Sequence, residues 1–279
     1  RTMKEMITQT STETNNQRRF TGTDLSARIT DRIQELAQAT DHARLNEEMV
    51  RFMEVCSKFH RYSPSNVWLI LMSKPDATMV AGFHKWREMG RYVKKGEKGI
   101  PILAPILVHE DKEDETSPIV LHGFKVVYVF DVTQTEGDPL PEPPNWKSPE
   151  KNELLYQRLL KFAESKKIEV EVKDLAREIQ GSSLGGKIYL SPDAGTKTLI
   201  HELAHELLHR GEDRPSDVKI RELEAESVGY VVAKHFGLND LASPNYIALH
   251  GATSELILNH LERIRKASAE IIQAVEGGN

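Results

Sequence analysis

The sequence predicts an α+β fold in two domains: helices followed by an antiparallel sheet in the N-terminal half, and a mainly helical C-terminal domain with a small sheet. Three observations predict it. Helical stripes of apolar residues come first and strand-like runs follow. Five prolines (Pro139, Pro141, Pro143, Pro144 and Pro149) then crowd a short stretch. Beyond them the apolar period is almost entirely helical. The chain has 279 residues, enough for either half to bury a core of its own. An apolar share of 39% and a charged share of 28% fit a globular protein.

Residues 1–22 are rich in Thr, Gln, Asn and Arg, and a disordered tail is expected there. Leu25, Ile29, Ile33 and Leu36 form one helical stripe; Leu45, Met49, Phe52, Met53, Cys56 and Phe59 form a second. Ser63 before Pro64 reads as an N-cap with proline at the first helical position, so Val67–Met72 is expected to be helical. Lys74-Pro75-Asp76 reads as a turn. A short helix over His84–Met89 stops at Gly90. Ile100–Val108 and Ile119–Val132 read as strands, joined by an acidic excursion from Glu110 to Glu115. The first domain is placed at 23–137 and a stiff proline-rich linker at 138–149. The second domain, 150–279, is expected to hold strands at Ile168–Val172 and Lys187–Leu190. Its helices are expected at about 196–210, 217–236, 240–249 and 252–274.

Several function classes fall away. No apolar run is long enough to span a bilayer, so no membrane partner is expected. The polar start shows no signal peptide. A single cysteine, Cys56, excludes an internal disulfide. A cytoplasmic location is the expectation. The net charge of -5 hides an asymmetry. From Thr78 to Gly99 the bases Lys85, Arg87, Arg91, Lys94, Lys95 and Lys98 face only Glu88 and Glu97. Such a local excess of one sign suits a polyanion.

The chemistry concentrates in His201-Glu202-Leu203-Ala204-His205. Residues four apart share a helix face, so both imidazoles reach one ion. Two histidines and a third ligand suit zinc (Zn2+), leaving a position for water. Glu202 stands at the edge of that face, where a general base is needed. His209 is four residues further, but its separation from His201 is about 12 Å along the axis, too far to share an ion. A carboxylate on the next helix is the better third ligand. Glu224 lies on that helix's apolar stripe, four after Ile220 and four before Val228. A core-facing carboxylate needs a partner, and a metal is one; Glu222 is the next choice. Tyr189, His209 and Tyr246 are the candidates for a second oxyanion stabiliser. The strand Lys187–Leu190 is expected to be the edge strand that holds a substrate main chain.

The run from Thr198 to His209, followed by Glu222 to Tyr230, resembles the ImmA/IrrE-type metallopeptidases over roughly 150–250. The resemblance implies a zincin-like fold, zinc held by His201, His205 and Glu224, and Glu202 as the catalytic base. Tyr62–Asn66, Ala77–Trp86, Gly90–Ile100 and Val129–Glu136 resemble the N-terminal single-stranded-DNA-binding domain of ArdC-type antirestriction proteins. Asn66, Lys85, Trp86, Arg91, Lys94, Lys95 and Lys98 are then the expected nucleic-acid contacts, combining phosphate-binding charge with an aromatic face. Trp68 is expected in the core. The resulting expectation is a zinc peptidase delivered by single-stranded DNA to a DNA-associated protein substrate. Two alternatives stand beside it. One is an antirestriction protein that binds and protects single strands, with a structural or vestigial zinc site. The other is a stress regulator that cleaves a repressor.

Overall fold

Thr21 opens the first described helix by receiving the Asp24 amide on its hydroxyl, while the Asp24 carboxylate receives the Thr21 amide. This reciprocal cap starts α1, Gly22–Ala37, and buries Leu25, Ile29, Ile33 and Leu36. The computed structural model describes residues 20–39, 41–111, 116–140, 149–176, 178–238 and 241–277. The expected disordered tail lies almost wholly outside these residues. So do most of the expected proline-rich linker and the tip of the acidic excursion.

Asp41 caps α2, His42–Lys58. Ser63 and Pro64 start α3, Pro64–Ser73, as their spacing predicts, with the Ser63 hydroxyl accepting from the Asn66 amide. Then come β1 (Val80–Gly82), α4 (Phe83–Glu88), β2 (Arg91–Val93), β3 (Ile100–His109), β4 (Ile119–Asp131) and β5 (Thr135–Gly137). β3 and β4 form a long antiparallel hairpin with a bulge between Ile106 and Leu107; β1 adds to the other side of β4. β2 and β5 make a separate two-stranded sheet.

The C-terminal half runs α5 (Pro149–Ser165), β6 (Glu169–Val172), β7 (Gly181–Ser183), β8 (Lys187–Leu190), α6 (Thr196–Leu208), α7 (Val218–His235) and α8 (Ser254–Gly277). β8 is the central strand, parallel to β6 and antiparallel to β7. The expected edge strand Lys187–Leu190 is therefore an interior strand; the edges are β6 and β7, and β7 is the one that lies along α6. Among the described residues 241–249 no long helix forms. After Pro244, Asn245 caps a single 3-10 turn, Tyr246–Leu249.

The architecture is α+β, with helices around small sheets. One continuous core runs through both halves. α2 packs on α7, and α1 and α3 pack on α8. Trp68 is buried in this core, stacked on Phe52 with ring centroids 4.6 Å apart. Among the described residues no helix is long and apolar enough to cross a membrane.

Candidate metal centre

α6 buries Leu199, Ile200, Leu203, Ala204 and Leu208, which turns His201 and His205 toward α7. Their Nε2 atoms lie 3.1 Å apart. Glu222, from the first turns of α7, brings Oε2 to 3.6 Å from each. These three are a group that could hold a metal ion. Tetrahedral bonds to zinc separate neighbouring ligand atoms by about 3.3 Å. An octahedral ion with bonds near 2.1 Å asks for about 3.0 Å. The 3.1 Å histidine edge suits both geometries and the two 3.6 Å edges to Glu222 are wider than either, so the spacing does not choose between ions. Burial holds His201 below the usual imidazole range and takes His205 down to about 4. Both rings are therefore neutral at pH 7, the form that offers a lone pair.

Glu224 is not beside the histidine pair. Its carboxylate is fully buried between α6, α7 and α8, where it accepts hydrogen bonds from His209 Nε2 at 2.9 Å, His260 Nδ1 at 2.7 Å and Arg263 Nε at 2.9 Å. Helical periodicity correctly turns Glu224 into the core, but protein cations meet it there. Glu222, two residues earlier, leaves the apolar stripe and faces α6. Burial would raise Glu224. The hydrogen bonds from His209 and His260 and the Arg263 charge outweigh it and hold the carboxyl down at about 2.

Glu202 is buried next to the triangle. Burial, then the charges of Glu222 and Glu206, push its carboxyl up to about 7. A carboxylate so placed can take and return a proton near neutral pH. Edge strand β7 runs directly against it. A Cβ on Gly181 would lie 2.6 Å from Glu202 Oε1, 2.8 Å from Glu202 Cγ and 2.9 Å from Thr198 Cγ2, so any larger residue forces these side chains to shift. Gly181→Ala is expected to cost about 1–3 kcal/mol by overpacking. Part of that cost should vanish in a Glu202→Ala background, the Thr198 contact remaining. Urea unfolding of the two single variants and the double variant checks this, and additive costs would contradict it.

Glu206, one turn after Glu202, fastens the strand. Its carboxylate accepts from Ser183 Oγ at 2.6 Å and from the Gly185 and Gly186 amides at 2.9 and 2.6 Å. The resulting cleft, about 580 Å³, is lined by β7, the triangle, Glu202 and the arginines Arg210, Arg214 and Arg221. β7 is three residues of Gly and Ser and carries no apolar alternation, so the sequence offers no strand signal there. Of the residues expected to stabilise an oxyanion, Tyr246 is fully buried and bonded to Ser227, and His209 is turned toward Glu224. The Lys173 ammonium stacks on the Tyr189 ring.

The expected nucleic-acid contacts divide. Asn66 is buried and grips the β3 backbone, donating to the Leu103 carbonyl at 2.9 Å and accepting its amide at 2.8 Å. Trp86 is fully buried and donates to the Phe130 carbonyl at 2.8 Å. The Arg91 guanidinium bonds Thr135 and the Asp138 carbonyl, tying β2 to β5. These three groups are spent on the fold. Lys85 is exposed and paired with Glu88; exposed Lys94 reaches the Thr133 carbonyl. Lys95 and Lys98 are exposed in the turn before β3. Phe83 and Tyr92, the other aromatics that the sequence interleaves with these lysines, are exposed; two more exposed aromatics, Phe124 and Tyr128, were missed by sequence reasoning. Phe124 and Tyr128 share one face of β4 by strand alternation. The pairing of Gly82 with Val129 brings Phe83 to the level of Tyr128. The Gly99 Cα approaches so closely that a Cβ there would lie 2.8 Å from the Tyr128 Cβ, which seats the Lys98-Gly99 turn against that ring.

Comparison with known proteins finds a family match in the first half. Residues 23–155 match the family model for the N-terminal domain of anti-restriction factor ArdC. An uncharacterized protein of Bacillus anthracis is 26% identical over 293 residues, covering 86% of this chain and 50% of that protein. The chain thus spans about half the length of the curated relative it matches. Two crystal structures of antirestriction protein ArdC from plasmid R388 also align. The metal-free one is 19% identical with a TM-score of 0.47, covering 77% of this chain and 86% of that one. The Mn(II)-bound one is 16% identical with a TM-score of 0.47, covering 80% and 97%.

Proposed function

We propose that this chain is an ArdC-type anti-restriction protein. In this reading its N-terminal half binds single-stranded DNA, and its C-terminal half holds a divalent metal ion between His201, His205 and Glu222. The observation that carries the DNA part is the exposed aromatic face of β4 beside Lys95 and Lys98, inside the stretch that matches the ArdC N-terminal domain. Bases stack on such faces with little sequence preference, and nearby lysines hold the phosphates.

Tyr128→Ala and Phe83→Ala are each expected to weaken binding of a mixed-sequence oligonucleotide by about 1–3 kcal/mol. Removing Lys95 or Lys98 should flatten the salt dependence by about 0.7 per lysine. Fluorescence anisotropy over a salt series measures both. Wild-type protein without affinity for single strands would overturn the reading.

Glu202 favours a second activity at the metal site, hydrolysis of a peptide bond. A bound metal ion would supply Lewis acidity at this point. Glu202, poised near neutral pH, takes the proton from the attacking water and returns it to the leaving amine. The free edge of β7 offers backbone hydrogen bonds to an extended chain laid along the cleft. Glu202→Gln is expected to keep metal and DNA affinity and to abolish cleavage of a protein crosslinked to single-stranded DNA. A variant that still protects DNA from restriction as wild type does assigns protection to binding alone. Loss of protection with DNA affinity intact assigns it to hydrolysis.

A further inference from the structure

We propose that the cleft receives an extended, acidic stretch of polypeptide: the edge of β7 pairs with its main chain, and Arg210 and Arg214 bind its carboxylate side chains. As a substrate class this rests on the hydrolysis reading above; as a binding site it does not.

The main-chain half of the site is the edge strand. On its inner side the Ser191 amide donates to the Gln180 carbonyl and the Leu184 amide to the Lys187 carbonyl, each at 2.8 Å. In an antiparallel pair, alternate residues turn their amide and carbonyl to the partner strand. Gln180, Ser182 and Leu184 therefore face β8, and Gly181 and Ser183 present their backbone groups to the open side. An extended chain can add there as a further strand.

The side-chain half is basic. Arg210 follows the end of α6, Arg214 lies in the loop to α7, and Arg221 is in the first turns of α7. Among the described residues Arg210 has one acidic neighbour, Glu206 at 3.8 Å, whose oxygens already accept from Ser183, Gly185 and Gly186. A Cβ on Gly186 would lie 2.8 Å from Arg210 Nη2, which seats the guanidinium against the turn between β7 and β8. Among the described residues no ion pair reaches Arg214. Arg221 donates to the Pro215 and Ser216 carbonyls at 2.8 and 2.9 Å and so holds the loop that carries Arg214. The acids of the cleft do not neutralise these arginines. Glu206 fastens β7, Glu222 lies 3.6 Å from each histidine, and Glu202 is at the far end against Gly181.

Arg210 comes two helical turns after Glu202, about 12 Å along the axis. An extended chain advances about 3.3 Å per residue. An acidic side chain about three or four residues from the bond beside Glu202 therefore meets Arg210. The planar fork of arginine takes a carboxylate through two N–H groups. The composition of the cleft favours polypeptide over nucleic acid. Among the described residues no Phe, Tyr or Trp lines it, so bases find no stacking face there.

The test uses the full chain, metal-free, so that no peptide carboxylate can bind an ion. The probes are fluorescein-labelled peptides of Ala, Thr and Ser with central glutamates, the same peptide with glutamines, and the same with lysines. Fluorescence anisotropy is expected to show the glutamate peptide binding about 10-fold more tightly than the glutamine peptide at low salt, with the preference fading as salt is added. Arg210→Gln with Arg214→Gln should remove the preference. Arg210→Glu with Arg214→Glu should transfer it to the lysine peptide. Both arginines are exposed, so thermal unfolding of these variants should match wild type. Equal binding of the glutamate and glutamine peptides overturns the proposal. So does a preference that survives in the folded double variants, or no binding of any peptide. Oligothymidylate that loses affinity in the glutamine double variant, with no preference among the peptides, assigns the arginines to DNA phosphates and overturns it as well. Hydrolysis is read separately on the Zn(II)-loaded chain. An acidic preference in binding with no peptide cut upholds the site and sinks the hydrolysis reading. Cutting of all three peptides at equal kcat/KM does the reverse.

Discussion

Glu224→Gln is expected to destabilise the protein by about 3 kcal/mol at pH 7. The Glu224 carboxyl is held at about 2, against an ordinary value of 4.5. That difference converts to roughly this free energy at 1.36 kcal/mol per pH unit. Its folded value lies below its unfolded one. The stability is therefore fully present above pH 4.5 and is lost as pH falls through about 2. The gap between wild type and variant should accordingly narrow from pH 4.5 downward. Breaking a buried, hydrogen-bonded charge cluster from one side has costs of this size, because Arg263 keeps its charge and loses its partner. Urea unfolding at pH 7 and pH 3 reads the effect. A variant as stable as wild type at pH 7 would remove Glu224 from the structural account.

Glu222→Ala should behave in the opposite way. Its side chain is about half exposed, and its Oε2 lies 3.6 Å from each of the two histidine rings. Folding stability in the absence of metal should change by less than about 0.5 kcal/mol, the usual range for a surface position. Metal affinity should fall by at least about 100-fold, since even residues behind a ligand carry 10–100-fold. Thermal unfolding and calorimetric titration with Zn(II) and with Mn(II) separate the two effects. The pair of variants therefore distinguishes a carboxylate that holds the fold from one that holds an ion.

How far the sequence could be read follows from what each signal measures. Spacing of i and i+4 on an amphipathic helix is purely geometric, and it brought His201 and His205 together with Glu202 beside them. Periodicity also turned Glu224 inward, but it reports direction and not partner. His260 and Arg263 come from a helix 36 and 39 residues away in sequence. The same limit explains the N-terminal half. Asn66, Trp86 and Arg91 have side chains able to contact DNA, yet β3, Phe130 and β5 occupy them. Phe124 and Tyr128 sit in an apolar run that reads as buried strand, and only the open face of the hairpin makes them available. A run of apolar residues on both faces of one long strand was the signal that could have found them. β7 left no trace, because Gly-Ser-Ser forms a strand only through its pairing with β8.

The most direct test of the metal centre is anomalous diffraction from crystals of the full chain soaked in Zn(II) or Mn(II), collected on either side of the metal's absorption edge. A single strong anomalous peak bonded to His201 Nε2, His205 Nε2 and a Glu222 carboxylate oxygen, with Glu224 still bonded to His209, His260 and Arg263, is the predicted result. A peak bonded to Glu224, or no peak at the histidine pair, would contradict it.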